Sequence, residues 1–300
     1  MNSDITPDWI AVDWGTSNLR VWAMRGGAVL DTVQSDKGMG GLDRSEFGAV
    51  LTALICRWHG ADSVPIIACG MVGSRQGWVE APYRSVPCTP LADKMARLSD
   101  PLLDLRVIPG LRQVTPGDVM RGEETQIAGF LALNDGWDGV ICLPGTHTKW
   151  VHVSAGEVVS FQTYMTGEMF ALLSGQSVLR HSVGESDWDD PAFDTAVEEA
   201  LSRPEKLAAR LFAIRADDLL DGTPAGVSRA RLSGLLIGAE LAAARPYWLG
   251  TQIAILGANA PSHHYARALK TQGASALIAD AERMTLAGLT AAYRLAKEAP

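Results

Sequence analysis

Apolar and polar residues alternate over short stretches near the start of the chain. WIAVDWGT, NLRVWAMR and AVLDTVQS read as three strands of a meander, joined by tight turns at Gly15 and at the Gly26–Gly27 pair. The spacing then predicts a helix from about Asp43 to His59, a buried strand PIIACG, a Gly-rich loop MVGSRQGW, a helix around LADKMARL and a strand RVIPG. After the turn PGD, apolar positions Ile127, Phe130, Leu131 and Leu133 predict a helix over 121–134 with Glu123 and Glu124 in its first turn.

Beyond this helix the order begins again. GVICLPGT, HTKWVHVS and EVVSFQTYM form a second meander. A long helical insertion follows, then the strand QIAILGA, a helix HHYARALKTQ, the strand ASALIAD and a last helix. Within the insertion HSVGESDWDDPAF is acidic and loop-like, and residues 182–225 carry no motif with evident chemistry. Repetition of a supersecondary unit constrains a fold more than any single propensity does. The expected architecture is therefore α/β, with two lobes at 1–120 and 121–300, each built on a βββαβα unit. The helix at 121–134 leads into the second lobe, and the last helix is expected to return to the first. A chain of 300 residues with 47% hydrophobic content suits two buried sheets better than one core.

Charge narrows the partners. A net charge of −8, with no run of Lys and Arg, excludes a long polyanion such as nucleic acid. The start MNSDITPD has neither the basic flank nor the apolar core of a signal peptide, and the most apolar helical stretch, LSGLLIGAELAAA, is short and contains Glu240. No membrane span is expected, and a cytoplasmic location is. Cys56, Cys69, Cys88 and Cys142 are widely spaced with no CxxC pair, so free thiols are expected rather than a zinc site. A homodimer is compatible with the sequence.

The two meanders share a chemical detail. DWGTSNLR and LPGTHTKW each place Gly and Thr between two strands, where backbone N–H groups and a hydroxyl can approach a phosphate closely. Gly15, Thr16, Ser17 and Asn18 form the first candidate phosphate turn, and Gly145, Thr146, His147 and Lys149 the second. Asp13 ends a buried strand and needs compensation, for which a hydrated magnesium ion beside phosphates is suited. Gly257, Ala258 and Asn259 of ILGANA, before a helix, are candidates for the sugar or base of a nucleotide. There is no GxxxxGK[ST] loop and no GxGxxG after the first strand. His263 and His264 read as solvated residues at a helix start.

With these motifs the chain resembles the sugar kinase, actin and heat-shock chaperone superfamily, whose ribonuclease-H-like lobes bind ATP in an interlobe cleft. Within it the chain is most similar to the 2-dehydro-3-deoxygalactonokinases, through DWGTSNLR, CGMVGSRQGW with the following APY, MRGEETQ, PGTHTKWV, YMTGE and SGLLIGAE. The resemblance implies ATP and Mg2+ as cofactors and transfer of the γ-phosphoryl group to the primary hydroxyl of 2-dehydro-3-deoxy-D-galactonate. Asp13 would hold the metal. Glu124, in preference to Glu123, would be the catalytic base. Arg20, Arg75 and Arg121 are candidates for the acid group of the sugar, with Ser74, Gln76, Trp78 and Glu168 lining its site. The alternatives are a kinase for another sugar acid, such as 2-dehydro-3-deoxygluconate, and a nucleotide-driven conformational protein. The MVGSRQGW loop and the acid pair favour the kinase.

Overall fold

The structure is a computed structural model that describes residues 5–98, 103–184, 187–257 and 260–298. Its elements begin with strands β1 (Trp9–Trp14), β2 (Leu19–Arg25) and β3 (Ala28–Ser35), helix α1 (Phe47–Ile55) and strand β4 (Ile66–Gly70). Short strands β5 (Arg84–Ser85), β6 (Ala96–Arg97), β7 (Leu105–Val107), β8 (Leu111–Gln113) and β9 (Asp118–Met120) precede helix α2 (Glu123–Leu133). The second series is β10 (Gly139–Leu143), β11 (Thr148–Ser154) and β12 (Glu157–Tyr164), then helices α3 (Thr166–Gln176), α4 (Asp190–Ser202), α5 (Leu207–Asp221), α6 (Ala225–Ala243) and α7 (Arg245–Trp248). It closes with β13 (Ile253–Leu256), α8 (Ala260–Thr271), β14 (Ala276–Ala279) and α9 (Ala281–Glu298).

Contacts divide the chain into two compact units, one of residues 1–137, 153–160 and 280–300, the other of 138–152 and 161–279. The division follows α2, whereas the sequence pattern placed it at 120/121, because α2 packs along α9 within the first unit. The main sheet of the first unit has the order β3-β2-β1-β4-β7-β6. β1 pairs antiparallel with β2 and parallel with β4. Alternation along β1 sends Ile10, Val12 and Trp14 into the core shared with Phe47, Leu51 and Ile55 of α1, and Trp9 and Ala11 to the opposite core beside Leu289 and Ala292 of α9. Asp13 has the parity of Trp9 and Ala11.

Two expected helices differ. α1 is shorter than the predicted Asp43–His59 because the chain before it turns, with the Glu46 carboxylate accepting from the amide of Asp43 at 2.8 Å. Residues 91–98 form no helix: Ala96 and Arg97 pair antiparallel with Val107 and Arg106. Leu91 and Met95 pack into one core and Ala96 and Leu98 into the other, a two-sided burial that an extended segment at a sheet edge can satisfy. The small sheet β5-β8-β9 has strands of two or three residues, too short for a periodic signal.

The sheet β12-β11-β10-β13-β14 repeats the order β3-β2-β1-β4-β7, again with parallel pairing of its last three strands. In the second unit, α6 crosses α4 closely: a Cβ on Gly234 would lie 2.5 Å from the Phe193 carbonyl oxygen, and one on Gly238 would lie 2.4 Å from that of Val197. SGLLIGAE thus owes its small residues to helix packing.

Candidate active site

In the first unit, Asp13 stands at the end of β1, opposite Arg20 on β2 and Cys69 on β4. Its Oδ2 accepts from Arg20 Nη2 at 2.6 Å, and Arg20 Nη1 reaches Glu282 of α9 at 3.4 Å. Arg20 is therefore the counter-ion of an acid pair, and these carboxylates hold its proton more firmly than usual against the opposing effect of burial. The other oxygen, Oδ1, lies 3.8 Å from the buried Cys69 thiol. Next to this acid the turn of Gly15 to Asn18 closes with the Gly15 amide donating to the Asn18 carbonyl at 2.9 Å. Thr16, Ser17 and Asn18 are exposed, and their amides donate to no acceptor among the described residues. The turn rests on the 38–40 segment: a Cβ on Gly38 would lie 2.3 Å from the Thr16 carbonyl oxygen.

Gly70 ends β4 with φ of 90° and Gly122 precedes α2 with φ of 104°, and each occupies a place a side chain could not. A Cβ on Gly122 would meet Gly70 Cα at 3.3 Å, and one on Gly70 would approach Asp13 Oδ1 at 3.4 Å. This glycine pair brings the first turn of α2 to the end of β1. Glu124 is 0% exposed, with Oε2 accepting from the Gly122 amide at 2.7 Å and Oε1 from the Thr125 hydroxyl at 3.2 Å. Burial, and then the charge of Glu123, push its carboxyl up to about 8. Glu123 is half-buried and accepts from the Arg121 amide at 3.0 Å.

The sugar-site candidates scatter. Arg121 is buried, with Nη2 donating to the Ala81 carbonyl at 2.8 Å and its guanidinium 4.3 Å from the Tyr83 ring. Its Nε and Nη1, and the buried Ser74 hydroxyl, have no hydrogen-bond partner among the described residues. Gly73, the residue before Ser74, packs against Arg121: a Cβ on it would lie 2.8 Å from Arg121 Nη1. Arg75 and Gln76 are exposed, Arg75 lying 3.9 Å from Glu80. Trp78 is half-buried and stacks on Phe47 at 5.9 Å, edge-on to Trp14 at 6.1 Å.

In the second unit, the turn after β10 carries Gly145 and Thr146. The start of α3 packs onto it: a Cβ on Gly167 would lie 2.2 Å from the Gly145 carbonyl oxygen, and the Glu168 amide donates to Thr146 at 2.9 Å. His147 Nε2 meets the Glu168 carboxylate at 2.6 Å. Lys149 points elsewhere. Alternation along β11 sends it opposite to Thr148, and it is buried with Nζ donating to Thr163 at 3.3 Å. A cavity of about 660 Å³ opens beside the turn, lined by Gly145, Thr146, Thr166, Phe170, Trp188 and Arg229 among others. His264 lines it as well, stacked on Trp188 at 4.0 Å with the rings 2° from parallel, so it is not the solvated residue its position suggested. Gly257 is buried, its amide donating to Ala279 at 2.8 Å; Ala258 and Asn259 lie outside the described residues.

The sequence model of a family described as 2-keto-3-deoxy-galactonokinase matches residues 13–292, a span that contains every residue above. The chain belongs to this family. It is 38% identical over 295 residues to the "Probable 2-dehydro-3-deoxygalactonokinase DgoK1" of Rhizobium meliloti (strain 1021), covering 95% of this chain and 96% of that one. It is 37% identical over 248 residues to the 2-dehydro-3-deoxygalactonokinase of Escherichia coli (strain K12), covering 81% and 82%. Among solved structures it matches the "putative 2-dehydro-3-deoxygalactonokinase protein from Sinorhizobium meliloti" with a TM-score of 0.91 at 38% identity, covering 95% of this chain and 98% of the other. Component A of the (R)-2-hydroxyglutaryl-CoA dehydratase of Acidaminococcus fermentans shares the fold at a TM-score of 0.53 and 13% identity, with 96% and 98% covered.

Three groups of residues in this member of the family escaped the sequence reading. The cavity walls Phe170, Trp188, Arg229 and His264 come from three helices and the segment before α4, with no common spacing to betray them. Glu282 joins Arg20 across more than two hundred residues. Gly38 had a legible signal, since the stretch GMGG is a glycine cluster directly after the first meander.

Proposed function

We propose that the protein transfers the γ-phosphoryl group of ATP to the primary hydroxyl of 2-dehydro-3-deoxy-D-galactonate in D-galactonate breakdown, giving the 6-phosphate and ADP. The family match from Asp13 to residue 292 carries this reading. Four free cysteines agree with a reducing, cytoplasmic setting, and no described helix is long and apolar enough to cross a membrane.

The nucleotide is assigned to the cavity of the second unit, with its phosphates toward Gly145 and Thr146 and its base toward the Trp188–His264 stack. The volume lies within the usual range for such ligands. Phosphoryl transfer is mostly positioning and charge neutralisation. In the first unit the amides of the exposed Thr16 to Asn18 are free to donate to phosphate oxygens, and Arg20 holds one oxygen of the neighbouring Asp13 at 2.6 Å. Asp13 fits a magnesium ion in that ion's usual mode, one carboxylate oxygen with phosphates and water completing the shell. When bound, the ion neutralises charge developing on the transferred group.

Glu124 is the base in this reading. It takes the proton of the acceptor hydroxyl, whose oxygen forms the new bond to the γ-phosphorus as the bond from that phosphorus to the β–γ bridging oxygen breaks. Each Glu124 oxygen accepts one hydrogen bond, from Gly122 and Thr125 respectively, which leaves a further lone pair on each for the hydroxyl. The spare donors of Arg121 and Ser74 suit the carboxylate and keto oxygens of the sugar acid. A coupled ADP-release assay with magnesium and a panel of keto-deoxy sugar acids tests the assignment. Turnover must require the sugar acid and favour the galacto over the gluco epimer; ATP hydrolysis that ignores both would overturn it.

A further inference from the structure

Glu240 takes no part in this chemistry, yet it is 3% exposed and gathers three donors from three elements. The Trp150 indole of β11 donates to Oε1 at 2.7 Å, the Tyr265 hydroxyl of α8 to Oε2 at 2.6 Å, and the Thr166 hydroxyl at the start of α3 to the same Oε2. Burial pushes the Glu240 carboxyl upward, and the three hydrogen bonds oppose that shift; the ionised carboxylate that they stabilise only accepts, so each hydroxyl directs its one proton at it. Burial and the neighbouring Glu240 push the Tyr265 phenol well above its ordinary 10, which keeps that proton in place. The chain of bonds continues. Tyr265 oxygen lies 3.1 Å from Thr148 Oγ1 and, its own proton being committed, can only accept, so Thr148 donates. Thr148, Thr166 and Tyr265 all line the 660 Å³ cavity, Thr166 half-buried and the other two buried; with their protons committed, these hydroxyls have only lone pairs left for a ligand.

We propose that Glu240 is a positioning residue that makes this part of the cavity wall a hydrogen-bond acceptor surface, selecting a ligand that presents O–H donors there. Two sources of such donors belong to the same ligand: the ribose hydroxyls of a nucleotide and the waters carried by its magnesium ion. The inference rests on the nucleotide reading of the cavity.

Calorimetric titration of ATP, with and without magnesium, and of 2′-deoxy- and 3′-deoxy-ATP, into wild type and Glu240→Gln tests it, alongside KM for both substrates. The amide turns an N–H toward one of the present donors and breaks the common polarity. ATP binding is expected to weaken on the order of tenfold, as for other outer-shell changes, with the sugar-acid KM within about twofold of wild type. If ribose is the donor, the deoxy nucleotides bind wild type more weakly and Glu240→Gln no longer distinguishes them; if the waters are, the loss appears only with magnesium. A folded Glu240→Gln protein with unchanged ATP affinity, or one in which both substrates weaken alike, overturns the proposal. Should Glu240→Gln fail to fold, Thr166→Val removes one wall hydroxyl and must weaken ATP at least about threefold; an unchanged affinity is equally fatal. A wild type that binds no ATP would instead remove the nucleotide reading itself.

Discussion

Replacing Glu124 by Gln separates catalysis from stability in opposite directions. The carboxyl is pushed from its ordinary 4.5 up to about 8, first by burial and then by the charge of Glu123. A raised carboxylate means that the folded state holds a proton the unfolded chain has released. Its contribution is fully present below pH 4.5 and is lost as pH rises through about 8. At about 1.4 kcal/mol per pH unit, wild type loses about 3 kcal/mol relative to the Gln variant by pH 7 and approaches about 5 above pH 8. Gln, neutral throughout, escapes this loss, so its unfolding midpoint should exceed that of wild type by a margin that grows from pH 5 to pH 8. Activity runs the other way. A base is competent only when ionised, so wild-type kcat/KM should rise with unit slope up to about pH 8, with about one molecule in ten active at pH 7. The variant should lose about 10² to 10⁴ in kcat and lose that limb. Thermal scans and pH–rate profiles of both proteins between pH 5 and 9 decide the matter. A variant that keeps its turnover and the same pH limb refutes the role of Glu124, and midpoint curves that stay parallel across this range refute the proton count.

Three further outcomes are expected. Asp13→Asn should raise the magnesium concentration for half-maximal rate at least about tenfold; an unchanged magnesium titration would take the metal away from Asp13. Trp78→Ala should cost about 2–3 kcal/mol in denaturant unfolding, since its ring packs on Phe47 and Trp14, with a modest change in sugar-acid KM. A large KM effect at unchanged stability would return Trp78 to the sugar site. Gly38→Ala drives a methyl to within 2.3 Å of the Thr16 carbonyl oxygen, so it should raise the ATP KM several-fold and lower stability by about 1–3 kcal/mol, whereas wild-type kinetics would show that the 15–18 turn tolerates displacement.

Much of this fold was legible because its strands are buried on one or both faces and end in glycine turns. β1, β2 and β3 and their counterparts β10, β11 and β12 fall where alternation put them. The failure at 91–98 is instructive. LADKMARL has apolar residues at spacings a helix can use, but the same residues serve two cores on opposite sides of a sheet edge. Which partner surface exists is a tertiary fact that local spacing does not contain. The site divides the same way: Asp13, the two turns and the Glu123–Glu124 pair are chain-local signals, whereas Glu282, Trp188 and His264 become neighbours of the motifs only through packing.

Lys149 shows that more could have been read from the repeat. Superposing the two turns at Gly15 and Gly145 pairs Asp13 with Leu143, Thr16 with Thr146, Leu19 with Lys149 and Arg20 with Trp150. Leu19 is 0% exposed on β2, so the repeat assigns Lys149 to an inward position on β11, and it is 4% exposed there. Arg20, by contrast, shares its face with Asp13, and its counterpart Trp150 shares its face with Thr148 and donates to Glu240. The two meanders therefore hold one geometry with different electrostatics. In the first, an Asp–Arg pair at the strand end fixes a carboxylate beside the turn. In the second, the acid is gone from the strand and a buried carboxyl group from α6 gathers hydrogen bonds from Trp150, Thr166 and Tyr265 instead. A lysine in a motif reads as a phosphate ligand only while its strand parity is ignored; once parity is applied, the second turn is left with backbone amides, Thr146 and the His147–Glu168 pair as its polar groups.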